Sequence, residues 1–228
     1  MCCSRAVKRS SKVAEQSVIE LCRRRLPELF AAGLARLEVK ARGGDRTAQA
    51  RLSGLIAGGV PVRLVFEGQG GGELLLLVGR EGLAFAQELP AAGFGYALSV
   101  PAQAARYGFG LLDRGEIELG ELARGVAMFG SHTARDLLGA TRFGYAAEVS
   151  DVPVLGSLRS MVSLGSPSLP AAPEFTLRVH YDELEDAREQ HIAPHQLFLA
   201  GKVQIEGNVA KAMLLGMTLA QLAGPPLG

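Results

Sequence analysis

The residues best placed to do chemistry fall short of any reaction. His191 and His195 stand four apart, the interval at which two imidazoles on one helix face can share a metal ion. Pro194 opposes a regular helix between them, and no acidic third ligand stands at motif spacing, so they read as surface histidines. Ser157, Ser160 and Ser163 come without an identifiable base, and Gly-x-Ser-x-Gly is absent. The run Gly68-Gln69-Gly70-Gly71-Gly72 could cradle phosphate only by opening a helix, where free amides point at an anion. It joins two apolar stretches instead, which makes it a hairpin turn.

What remains is apolar surface, and its chemistry is the exclusion of water from hydrocarbon. Val62, Leu64, Phe66, Phe85, Leu98, Val126, Met128, Phe175, Leu177, Val203 and Ile205 have the strand parity for one apolar sheet face. Met213, Leu214 and Met217 belong to a final apolar helix able to cover it, and methionine adapts its shape to irregular guests. Each methylene removed from water contributes about 0.8 kcal/mol, so an eight-methylene segment supplies on the order of 6 kcal/mol before ordering costs. These residues are the candidate contact set for an apolar ligand. No catalytic residue, cofactor or metal is expected.

Composition agrees. In a chain of 228 residues, 48% hydrophobic content supplies a substantial core without staples. A net charge of +1 gives no electrostatic reason to expect nucleic acid. Cys2, Cys3 and Cys22 all lie near the N-terminus, which suits a reducing compartment, and no apolar run reaches the roughly 18 residues of a membrane span. A soluble cytoplasmic protein is the expectation, with an apolar lipid ligand and transient membrane-surface contact among its partners. Cys2 and Cys3 beside Arg5, Lys8, Arg9 and Lys12 read as a frayed basic terminus rather than an acylation site.

Positioning elements follow from periodicity. Residues from about Ser10 to Val39 have helical spacing, with Pro27 expected to split or kink the helix. A short helix over Thr47 to Ile56 is expected to end at Gly58-Gly59. Strands are expected around Val60 to Phe66, Leu74 to Val78, Leu83 to Gln87 and Tyr96 to Val100, then a helix over Ala102 to Leu112. Asp151 to Pro173, rich in Ser, Gly and Pro, reads as a linker or lid, although Leu155, Leu158, Met161, Val162 and Leu164 must pack on something. Near the C-terminus, alternation through Ile205 stops at Gly207, and Asn208 can cap the helix that follows. In that helix Lys211, Thr218 and Gln221 share one narrow polar stripe.

One junction occurs twice. Leu122 to Leu138 aligns without a gap to Leu199 to Leu215, matching Leu122, Ala123, Val126, Gly130, Leu137 and Leu138. Ser131 stands where Asn208 stands, and both are good helix caps. A strand, helix, strand, helix unit is therefore expected twice, over Tyr96 to Leu138 and again from Phe175.

The second copy carries a resemblance. Phe175-Thr-Leu-Arg-Val, the acidic helix Asp182-Glu-Leu-Glu-Asp, Ala193-Pro-His-Gln-Leu-Phe-Leu-Ala-Gly-Lys-Val-Gln-Ile-Glu-Gly-Asn208 and the Ala/Met/Leu helix resemble the C-terminal half of sterol carrier protein 2-type lipid-binding domains. Asn208 replaces the family's usual Asp, and Glu189-Gln-His replaces a Gly-containing turn. The resemblance implies an α+β fold, a mainly antiparallel or mixed sheet covered by helices. It also implies non-enzymatic binding or transfer of a sterol, fatty acyl or related ligand between the sheet and the last helix. Expected boundaries are an N-terminal helical segment over 1–45, a carrier-like unit over 46–142, a linker or lid over 143–173, and a partial second unit over 174–228. The rival expectation is a cavity-less accessory module in a pathway that handles a hydrophobic metabolite such as a quinone. It would show an exposed apolar patch.

Overall fold

The computed structural model describes residues 17–90, 93–115, 129–190, 192 and 194–223. Val126 and Met128 of the candidate set, residues 116–128 within the first repeat copy, Cys2, Cys3 and His191 lie outside the described residues. Among those described, seven helices cover one eight-stranded mixed sheet, an α+β architecture.

Helix α1 (Val18–Arg42) begins where the Ser17 hydroxyl accepts the Ile19 N–H at 3.2 Å. It buries Val18, Cys22, Phe30, Gly33 and Leu37 along one stripe. Pro27 does not split it. The carbonyl that loses its partner belongs to Arg23, an exposed position where water can replace the missing amide. Burial also pushes the Cys22 thiol up to about 11 and leaves it an inert core group.

Asp45 caps α2 (Arg46–Ser53) by accepting the Thr47 and Ala48 amides at 2.9 and 3.0 Å. This helix ends at Gly54, earlier than Gly58-Gly59, because Leu55 turns away to bridge Ser131. Gly58 and Gly59, with φ of 76° and 81°, form the turn into the first strand.

The strands are β1 (Val60–Glu67), β2 (Gly72–Gly79), β3 (Gly82–Ala86), β4 (Tyr96–Pro101), β5 (Phe143–Val152), β6 (Gly156–Leu164), β7 (Phe175–His180) and β8 (Gln204–Gly207). Their order is β3-β2-β1-β4-β6-β5-β7-β8. Pairs β1/β4 and β5/β7 are parallel and the rest antiparallel. Gly68 to Gly71 make the β1–β2 turn that the alternating flanks required, and Gly72 opens β2 opposite Phe66. Residues 143–173, expected as linker or lid, instead hold two inner strands. Phe143, Tyr145, Ala147 and Val149 alternate, as do Leu158, Val162 and Leu164, and their apolar sides share one face. Pairing of β4 with β6 joins both halves of the chain in one sheet.

The other helices are α3 (Ala102–Asp113), α4 (His132–Thr141), α5 (Tyr181–Glu189), α6 (Pro194–Leu199) and α7 (Val209–Ala223). One core gathers Val60, Tyr96, Phe143, Leu164 and Phe175 beneath Ala134 and Leu138 of α4 and Ala212 and Leu215 of α7. A second packs Phe66, Leu74 and Leu76 against Val18 and Cys22 of α1 and Ala102 of α3.

Gly207 makes the last strand-to-helix junction possible. Its φ is 98°, and a Cβ there would stand 2.8 Å from the Glu174 carbonyl oxygen. Gly207→Ala is expected to lower stability by about 2–3 kcal/mol, read as a lower urea midpoint at unchanged slope.

Candidate functional site

Two capping bonds set the helices over the sheet. The Ser131 hydroxyl accepts the Ala134 amide at 3.1 Å, and the Asn208 side-chain oxygen accepts the Lys211 amide at 3.0 Å. Each cap reaches three residues forward, as expected of Ser and Asn at helix starts.

Glu174 then fixes α7 to the sheet. Its backbone donates to Gly144 O at 2.8 Å and accepts from Asn208 N at 3.0 Å. Its carboxylate accepts the Gly144 amide at 3.1 Å and the Lys211 ammonium. Partial burial alone would raise this carboxyl, but the bonds from Lys211 and Gly144 and the Lys211 charge outweigh it, so it sits below its ordinary value.

This tether turns α7 opposite to expectation. Ala212, Leu215 and Thr218 face inward, whereas Met213, Leu214 and Met217 are 48%, 40% and 57% exposed. Of the expected polar stripe, Lys211 and Thr218 thus lie toward the packed side, while Gln221 is exposed. Thr218 can be buried there because its hydroxyl donates to the Leu214 carbonyl at 2.8 Å. Met213, Leu214 and Met217 therefore do not line the space between helix and sheet.

The described sheet residues of the candidate set are brought together. Val62, Leu64 and Phe66 lie opposite Tyr96, Leu98 and Val100, and Leu76 lies opposite Phe85. Leu98 faces Val162, Val162 faces Tyr145, Tyr145 faces Phe175, and Leu177 faces Ile205. Phe66 and Phe175 are buried core. Val62, Leu64, Phe85, Leu98, Leu177, Val203 and Ile205 are half-buried. Leu64, Leu98, Val162 and Tyr145 form one half-buried row across four strands, with Leu177 and Ile205 continuing the apolar face beyond it.

Tyr145 and Val162 were missed because their segment read as a linker, although period-two alternation from Phe143 to Leu164 marks both strands. The Tyr145 ring stacks on Phe175 with centroids 5.2 Å apart. Burial pushes its phenol up to about 12, so it stays neutral at physiological pH.

A separate polar groove of about 360 Å³ opens at the ends of β5 to β8. Glu148 there binds Arg159 at 2.8 Å and Arg178 at 2.7 Å, while Arg178 also binds Glu206 at 2.7 Å. The hydrogen bond from Arg178, then the two guanidinium charges, hold the Glu148 carboxyl below its ordinary value. Arg159 and Arg178, and Lys202 which also lines the groove, are bound to Glu148, Glu206 and Glu183, so no lysine or arginine lining it is left unmatched to gather an anionic substrate.

Beside it, Ser150 Oγ lies 2.8 Å and Asp151 Oδ2 2.9 Å from His180 Nδ1. A nucleophile relay needs serine and carboxylate on opposite ring nitrogens. Here both meet the same nitrogen, so the trio does not form one. Among the described residues, no group of three or more His, Cys, Asp or Glu could hold a metal.

Residues 148–220 match the SCP-2 sterol transfer family. The match runs from β5 into α7 and contains the residues that carried the resemblance. No curated protein matches the chain. Among the described residues, no helix is long and apolar enough to cross a membrane.

Glu174→Gln is expected to cost about 0.5–1 kcal/mol at neutral pH, because Lys211 loses its counter-charge at a partly exposed site. Since the folded-state carboxyl lies below its unfolded value, this contribution is present above the ordinary carboxylate pKa of about 4.3 and is lost as pH falls through the folded value. Urea midpoints of the two proteins should differ at pH 7 and converge in acid.

Proposed function

We propose that the protein binds and carries an apolar lipid without transforming it. The observation carrying this reading is the half-buried row Leu64, Leu98, Val162 and Tyr145, with Leu177 and Ile205 beyond it, inside a chain whose later part matches a sterol transfer family. Side chains on a helix-covered sheet face normally close into core, as Phe66, Phe143 and Phe175 do here. A face left half-closed suits a hydrocarbon guest, because apolar contact is non-directional and accepts sterol or acyl shapes alike.

The guest lies against this face, bordered by the packed side of α7 that carries Leu215, Leu219 and Leu222. Tyr145 supplies a neutral hydrogen-bonding handle for a hydroxyl or carboxyl at the end of an otherwise apolar ligand. No covalent step is needed, and the Ser150, His180 and Asp151 arrangement offers none. The recurrence of a hairpin with a parallel third strand, in β1, β2, β4 and again in β5, β6, β7, supports descent from a duplicated carrier unit. A soluble, cytoplasmic carrier collecting its cargo at membrane surfaces fits the proposal.

Protein incubated with membrane lipid extract and re-isolated should retain roughly one lipid per chain by native mass spectrometry. Leu98→Trp, which fills the row, should reduce occupancy several-fold. Tyr145→Phe should weaken ligands bearing a hydroxyl or carboxyl about fivefold while sparing plain hydrocarbons. A wild-type chain that stays empty in this extract would refute the reading.

A further inference from the structure

The outward side of α7 has no role in the site just described. Val209, Met213, Leu214 and Met217 are 47%, 48%, 40% and 57% exposed. At 100° per residue they fall, with Ala210, within one arc of about 140°. The only polar side chain inside that arc is Gln221. The inward side carries Lys211 and Thr218 among Ala212, Leu215 and Leu219, so the helix is apolar on both sides and its outward side lacks the polarity of an ordinary surface helix. That orientation is held by Asn208 and Glu174 at the helix start, which keeps the apolar arc from rolling inward.

We propose that this arc is a docking face for the surface of a neutral lipid bilayer. Three observations select this occupant over another protein. Four half-exposed aliphatic side chains leave on the order of 300 Å² of apolar area, within the range of functional patches but well under the roughly 800 Å² per partner that a stable pair buries. The arc offers almost no hydrogen-bonding groups, whereas protein interfaces carry about ten direct hydrogen bonds. A bilayer asks for none, because the helix satisfies its own backbone. Finally, the one lysine or arginine of α7, Lys211, is already bound to Glu174, so attraction of this helix to anionic headgroups contributes little. The helix lies in the interface with its methionines among the upper acyl chains and does not span the membrane. This inference stands on the exposed face and does not require a lipid to be carried inside the fold.

The chain contains no tryptophan, which makes a single introduced indole a clean reporter. Met217→Trp should shift its emission to the blue on addition of phosphatidylcholine vesicles and be quenched by lipids brominated high on the acyl chain. Val39→Trp, at a 61% exposed site on α1, should do neither. In flotation with the same vesicles, the double variant Met213→Asp/Met217→Asp should bind about tenfold or more weakly than wild type, with an unchanged thermal midpoint. Adding phosphatidylserine or raising salt should alter wild-type binding by less than about twofold. No blue shift at Met217→Trp, or equal flotation of the double variant, overturns the proposal. So does a wild-type dimer in sedimentation velocity that Met217→Asp dissociates, since the face would then belong to a second copy. Because the fluorescence measurement uses no extracted cargo, its failure leaves the internal lipid site standing, and failure of cargo binding leaves the docking face standing.

Discussion

The ionic tether between Glu174 and Lys211, backed by the Asn208 cap, decides how the last helix is rotated. Rotation matters because nearly every side chain of α7 is apolar, so hydrophobicity alone does not choose which side goes down. A carboxylate at the start of β7 makes that choice by holding a lysine in the first turn. Ala212, Leu215 and Thr218 then meet the sheet, and the methionines meet solvent. A polar contact of modest energy thus sets a specificity that a larger apolar term leaves open.

The sheet is organised by a different constraint. Each half supplies a hairpin with a parallel third strand, and each would leave an edge where β4 and β6 now pair. Joining these edges makes one continuous apolar face, on which α1 and α3 close one part and α4 and α7 another. The face is left half-buried along Leu64, Leu98 and Val162, near the seam between the halves. The proposed carrier site is thus a consequence of how the units meet, and neither unit's strands supply it alone.

Much of this was legible in the chain. Alternation located β1 to β4 and β8, the repeat pointed to β7, glycines marked turns, and Asn208 and Ser131 announced helix starts through their short polar side chains. Three readings went astray for physical reasons. Composition rich in Ser, Gly and Pro outweighed the period-two pattern in β5 and β6, although both strands are central. Pro27 reads as a breaker but sits where the orphaned carbonyl reaches water. The stripe of Lys211 and Thr218 reads as the wet side of α7, yet one residue is claimed by Glu174 and the other by its own helix backbone. Period reveals that a helix has sides; tertiary partners decide which side is buried.

The two borders of the sheet carry a further consequence. Strand β3 is five residues long and β8 four, and β8 presents Gln204 and Glu206, with Glu206 bound to Arg178. Such short and partly charged margins make poor templates for another chain's strand. The greasiest described surface is instead helical, with its amides already used. Adhesion through it can be oily and reversible, but it provides no ladder along which fibrils could grow.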